Sequence, residues 1–232
     1  MTDFAPGAHA GGPAERAAER QSRTLRVVHL VRHGEVHNPD RVLYGQLPGF
    51  GLSERGVEQA KLVAAFLAER DIGYIVSSPL ERAIQTAQPL ASKLGLPIDT
   101  DERLIEAGNR LEGKQVAEGK GLLADPSNWK YFRNPIRPSW GEPYVDIAQR
   151  VLAAARDARD KANGHEAVCV SHQLPIWVAR RYVEGERLFH DPRKRQVALG
   201  SVTSFTFVAD VVVRVEYAAP AGSEPMDAVP GA

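Results

Sequence analysis

The segment Leu30-Val31-Arg32-His33-Gly34-Glu35 sets a guanidinium, an imidazole and a glycine side by side at the end of an apolar run. Two later apolar runs end in similar chemistry: Ser77-Ser78-Pro79 is followed by Arg82, and Ala167-Val168-Cys169-Val170 leads into Ser171-His172. If these tips converge, two arginines and two histidines make a site for a dianion, because a guanidinium forks onto two oxygens and stays charged at any working pH. Gly34 would let the backbone approach the ligand closely. Phosphoryl transfer needs a nucleophile, stabilisation of the equatorial oxygens and a proton for the departing alkoxide. A neutral imidazole supplies the first, a second histidine the second and a carboxylic acid the third. Glu106, in Arg103-Leu104-Ile105-Glu106, is the candidate acid, with Glu102, Glu112 and Glu118 as nearby competitors.

The elements that must position these groups alternate between buried-strand and helical patterns. Leu25 to Val31, Ile72 to Ser77 and Ala167 to Ser171 read as strands, with a terminal hairpin pair at Val202 to Phe207 and Val211 to Tyr217. Ser53 is the expected cap of a helix through about Glu69, and Ser78-Pro79 that of a second helix to about Leu94, which Gly95 ends. Further helices are expected over Tyr144 to Ala162 and Pro175 to Glu184, and an extended piece near Pro97 to Thr100. Near-continuous apolar strands alternating with helices imply an α/β three-layer sandwich: a mostly parallel sheet with helices on both faces. Ligands of such sheets bind at the carboxyl ends of the strands, which is where His33, Arg82 and His172 fall.

Residues 1–24 are rich in Ala, Gly, Pro, Glu and Arg and poor in large apolar side chains, so a disordered tail is expected there and again over 218–232. One domain over 25–217 remains. Within it the stretch 105–143 is irregular, with Trp129, Tyr131, Phe132 and Trp140 among prolines 126, 135, 138 and 143. A loop that long is either functional or a lid, and its aromatics either line a pocket or anchor the loop. Arg110, Arg133 and Arg137 either recognise a second negative group or lie in solvent. Arg193-Lys194-Arg195 reads as a solvated loop rather than an anion or RNA patch.

Lys+Arg and Asp+Glu are 29 each, so no overall field recruits nucleic acid or an anionic membrane, and anion binding must be local. The single cysteine, Cys169, excludes an internal disulfide framework and reads as a core residue. With no apolar run of about 18 residues and no basic-then-apolar start, the cytoplasm is the expected location. His33-Gly34-Glu35-Val36-His37 has two histidines four apart, yet a glycine follows the first and a strand precedes it. The zinc-protease pattern needs a glutamate there and a helix, so no metal site is expected.

Five segments in order, Leu30 to Glu35, Leu52-Ser53-Glu54-Arg55-Gly56 with Gln59-Ala60, Ser77 to Ala83 with Thr86-Ala87, Arg103 to Glu106, and Val170-Ser171-His172, resemble the histidine phosphatase superfamily of phosphoglycerate mutase-like fold. The resemblance implies that His33 becomes phosphorylated, that Arg32, Arg82 and His172 bind the phosphoryl group, and that Glu106 gives and then takes the proton. It implies no metal, no organic cofactor and a small phosphorylated substrate. Asn38 falls near a phosphate-contacting asparagine of the family, with one residue fewer after His33 than the commoner spacing. Two departures weaken the mutase branch: Glu106 is followed by Ala107-Gly108-Asn109 rather than Arg-His-Tyr-Gly, and His172 by Gln173 rather than glycine. The expected activity is hydrolysis of a phosphate monoester, with a phosphoglycerate mutase-type transferase as the first alternative and a non-catalytic sensor of a phosphorylated ligand as the second.

Overall fold

The computed structural model describes residues 25–115 and 141–222 of the chain. The tails 1–24 and 223–232, Glu118, the aromatics of the long loop, and Arg133 and Arg137 lie outside the described residues.

Six strands form one sheet: β1 (Arg26–Arg32), β2 (Ile72–Ser77), β3 (Asp99–Thr100), β4 (Glu166–Ser171), β5 (Val202–Val208) and β6 (Val211–Ala218), in the order β3-β2-β4-β1-β5-β6. The first four run parallel, β5 pairs antiparallel with β1, and β6 pairs antiparallel with β5. The sheet is therefore mixed and mostly parallel, as the alternating pattern implied. The hairpin strand reaches Ala218, and the chain continues as a turn at 219–222.

Alternate side chains of the buried strands go to opposite faces, and each face is roofed by two helices. On one side Val31, Ile75, Val168 and Val170 meet Val63, Ala64 and Leu67 of α1 (Glu54–Leu67) and Ala87, Leu90 and Ala91 of α2 (Glu81–Leu94). On the other, Val28, Leu30, Val76, Ala167 and Cys169 meet Val151, Leu152 and Ala155 of α3 (Tyr144–Lys161) and Ile176 and Trp177 of α4 (Gln173–Val183). Each fully buried Leu, Ile or Val side chain contributes roughly 1.5–3 kcal/mol. Cys169 is buried in this second layer. Among the described residues no helix is long and apolar enough to cross a membrane.

Helix starts explain one difference from expectation. Ser53 caps α1 as read, its hydroxyl accepting from the Gly56 N–H at 3.0 Å. Ser78 does not cap α2: the cap position is Leu80, without a side-chain bond, and Ser78 is drawn away by a tertiary partner described below. The fourth helix starts at Gln173, directly after His172, rather than at Pro175.

Gly34 also differs in role from the reading above. A Cβ built on Gly34 would lie 2.5 Å from the Gly56 carbonyl oxygen, and one on Gly56 would lie 2.0 Å from that of Glu35. The two glycines let the His33 loop and the first turn of α1 touch backbone to backbone, so the close approach is to the protein's own chain. Gly56→Ala is expected to reduce stability by about 3 kcal/mol, as overpacking against rigid backbone does. Denaturant unfolding checks this, and a loss below about 0.5 kcal/mol would refute the packing argument.

Candidate active site

Strand register brings the candidate residues together. On β1, Arg32 pairs with Ser171 of β4, and on β2, Ser77 pairs with Val170. The tips are stitched by His33 N–H to Ser171 O (3.1 Å), Ser78 N–H to Val170 O (2.8 Å) and Asp101 N–H to Ser77 O (2.9 Å). Because β4 inserts between β1 and β2, His172 comes to lie between His33 and Ser78. The loop bearing Glu106 is drawn in by Ser171 Oγ–H donating to Leu104 O (2.7 Å). Arg150 of α3 fixes the same loop through Arg103 O and Ile105 O, and is itself paired with Glu142.

The other matched segments support the His33 loop. Gly34 N–H donates to Thr86 Oγ1 (3.1 Å), Glu35 N–H to Gln59 Oε1 (2.7 Å), and Ser53 Oγ–H to the Glu35 carboxylate (2.8 Å). Motifs some 20 to 50 residues away in sequence thus clamp the two residues that follow the imidazole.

His33 is fully buried. Its Nδ1 lies 2.8 Å from Gly34 O, an oxygen that can only accept, so Nδ1 carries the proton and Nε2 presents its lone pair. Nε2 makes no hydrogen bond among the described residues. Burial, then the charges of Arg82 and Arg32, hold the imidazole well below its usual pKa, which keeps it neutral and nucleophilic.

The His172 ring sits 5.1 Å from that of His33, centre to centre. Its Nε2 is 2.8 Å from Ser78 Oγ, which is the partner that removes Ser78 from capping duty. With Ser78 O–H as donor, the proton of His172 resides on Nδ1, which has no partner among the described residues and can donate to an incoming anion. Burial, followed by Arg82 and His33, depresses the His172 pKa as well.

Arg82 is 1% exposed, donates through Nη2 to Gly45 O (2.6 Å) and lies over the Tyr44 ring, 4.7 Å from its centroid. Its Nε makes no hydrogen bond among the described residues. Arg32 is likewise buried and donates through Nη1 to Val197 O (2.6 Å). Backbone carbonyls thus orient both guanidiniums toward a local anion site in a chain of zero formal net charge.

Glu106 is the buried carboxyl of the set. Oε1 accepts the Ala107 N–H (2.8 Å), and Oε2 has no partner among the described residues. Burial raises its pKa, opposed by the Ala107 N–H and then by Arg82. Its competitors are placed differently: Glu102 is exposed at the start of a 3-10 turn, and Glu112 accepts the Asn109 N–H.

Asn38 is not brought into this group by its side chain. Its amide donates to Val42 O (2.8 Å) and accepts the Val42 N–H (3.0 Å), closing its own loop. His37 is exposed while His33 is buried, so the paired-histidine motif points two ways. The residues that sequence reading passed over are Ser78 as the partner of His172, Tyr44 beneath Arg82, Gln46, which donates to Glu106 O (2.6 Å), and Arg195. Arg193 and Lys194 are exposed as expected, but Arg195 turns inward, where burial lowers its pKa and Glu106 is the first charge to oppose that.

Residues 28–218 match the histidine phosphatase superfamily (branch 1). Uncharacterized protein Rv0525 of Mycobacterium tuberculosis is 55% identical over 194 residues, covering 84% of this chain and 96% of that protein. A probable phosphoglycerate mutase GpmB of Shigella boydii is 33% identical over 171 residues, covering 66% of this chain and 78% of that one. Among solved structures, the mycobacterial glucosyl-3-phosphoglycerate phosphatase Rv2419c in complex with inorganic phosphate superposes with a TM-score of 0.62 at 26% identity, covering 85% of this chain and all of that one. The five sequence segments, the mixed sheet and these relatives agree: the chain belongs to the histidine phosphatase superfamily and is an enzyme of that type.

Proposed function

We propose that the protein is a phosphatase that hydrolyses a phosphate monoester through a phosphohistidine on His33. The observation that carries the reading is the state of His33 Nε2: unprotonated, without a partner among the described residues, and set among Arg82, Arg32 and His172.

Arg32, Arg82 and His172 hold the phosphoryl oxygens, and His33 Nε2 attacks phosphorus as the ester P–O bond breaks. Gly34 O accepts from Nδ1–H and steadies the imidazolium that forms. Glu106, whose burial favours the protonated form, gives its proton to the departing oxygen. The resulting carboxylate then takes a proton from water, which attacks the phosphohistidine and frees inorganic phosphate and His33.

A transferase would run the same first half but must keep water away until a second acceptor arrives. The GpmB relative is the observation that favours that alternative. The substitution of Ala107-Gly108-Asn109 after Glu106 and of Gln173 after His172 favours hydrolysis. The deciding experiment is phosphate release from phenyl phosphate in the presence of chelator and without a bisphosphate primer. Steady chelator-resistant release is expected; strict primer-dependent isomerisation with negligible phosphate would overturn the reading.

A further inference from the structure

We propose that Arg195 recognises a second anionic group on the substrate, so that the natural ester carries a carboxylate or second phosphate near the phosphoryl being removed. This rests on the phosphatase reading for the first anion and adds the class of leaving group.

Asp191 caps the 3-10 turn Pro192–Lys194 and pairs with Arg193, and the turn releases the chain inward at Arg195. Arg195 Nε–H donates to His190 Nε2 (2.9 Å), and Nη1–H to Gln173 Oε1 (3.1 Å). His190 can accept because its Nδ1–H is committed to Leu188 O (2.6 Å), and burial lowers its pKa to about 4, which keeps the ring neutral. Gln173 adjoins His172, and Val197, two residues beyond Arg195, supplies the carbonyl that grips Arg32. The charges of both Glu106 and Arg32 act on the buried Arg195 guanidinium, which sets it at the edge of the phosphoryl pocket.

Its partners orient it without cancelling its charge. Arg103, Arg150, Arg159 and Arg180 each have a carboxylate within ion-pair distance; Arg195 has none among the described residues. Nη2 makes no hydrogen bond among them either. Arg32, Arg82 and His172 are already assigned to the phosphoryl group, so a further guanidinium at this pocket is available to another anion. A partly desolvated cation is held this way at a cost unless a ligand neutralises it. Gln173 is part of the device, because a glycine at that position offers no acceptor to Nη1. Arg110, considered for this role on sequence, is exposed.

The test is calorimetric binding of three non-hydrolysable probes to the full chain: propylphosphonate, 3-phosphonopropionate and 1,3-propanediphosphonate. The two probes with a second anion should bind about 10-fold or more tighter than the first, the size of a charge-assisted bond. The tighter of the two identifies carboxylate or phosphate as the second group. Arg195→Met should erase that preference while propylphosphonate affinity changes far less, and Arg195→Lys should keep part of it. Equal affinities in the wild type, or a parallel loss for all three probes in Arg195→Met, would overturn the inference. Because binding is read without turnover, failure of the phosphatase reading shows separately, as absence of phosphate release from phenyl phosphate.

Discussion

His33→Ala should lower phosphate release by roughly 10⁴-fold or more, the scale of losing a nucleophile that forms a covalent intermediate. The loss falls on chemistry rather than on binding. Arg82 is oriented by Gly45 O, Arg32 by Val197 O and His172 by Ser78, and none of these contacts runs through the His33 side chain. Orthophosphate should therefore bind the variant within about 10-fold of the wild type, a shift of about 1.4 kcal/mol or less. Three measurements separate the outcomes. Rapid quench with radiolabelled substrate should trap acid-labile, base-stable label on the wild type and none on the variant. Calorimetry with orthophosphate should show binding in both. Added imidazole should restore some turnover in the variant, since the ring removed was fully buried and its space is flanked by the same cations. Turnover persisting in His33→Ala would exclude the phosphohistidine route.

The part of this site that could be read from sequence is the part governed by the sheet. A buried strand announces itself by its apolar run, and ligand groups follow its carboxyl end, so His33, Arg82 and His172 were legible as strand-end residues. Glu106 was reachable only through its spacing from Arg103-Leu104, since three neighbouring carboxylates carry the same chemistry. What separates Glu106 from Glu102 and Glu112 is burial, which a local string does not encode. Ser78 illustrates the opposite failure. Ser-Pro before a helical pattern is a sound cap signal, yet the hydroxyl is claimed by His172, 94 residues away. Arg195 was hidden for a similar reason. In sequence it is one of three consecutive cations; its inward turn depends on a capped 3-10 turn, on Gln173 22 residues earlier, and on a His190 held neutral by burial. Gly34 was read as letting backbone approach a ligand, whereas it meets the Gly56 backbone, a contact set by how α1 packs.

Glu106→Gln should lower turnover of an alkyl phosphate by roughly 10²–10⁴-fold, the usual contribution of a positioned acid, with a smaller effect when the leaving group needs no proton. The substitution is nearly isosteric and keeps an oxygen to accept the Ala107 N–H, so the fold should be undisturbed. With 4-nitrophenyl phosphate the variant should still phosphorylate His33 quickly, because nitrophenolate departs unaided. The second half still lacks a base to activate water. The expected trace is a burst of about one nitrophenolate per enzyme, followed by slow steady release, with phosphohistidine accumulating. The pH profile carries the same argument. The wild type needs His33 neutral and Glu106 protonated; His33 is depressed below its usual range and Glu106 raised above its own, and both shifts enlarge the fraction of enzyme in that state. On the acid side activity falls only once His33 protonates, well below the ordinary imidazole pKa. On the alkaline side kcat/KM for an alkyl phosphate falls as pH rises through the elevated Glu106 pKa. In Glu106→Gln that alkaline limb should disappear while the acid limb stays, because the amide does not titrate and His33 is untouched. An unchanged alkaline limb, or alkyl phosphate turnover within about threefold of the wild type, would move the acid to another carboxylate and leave Glu106 as a buried structural group.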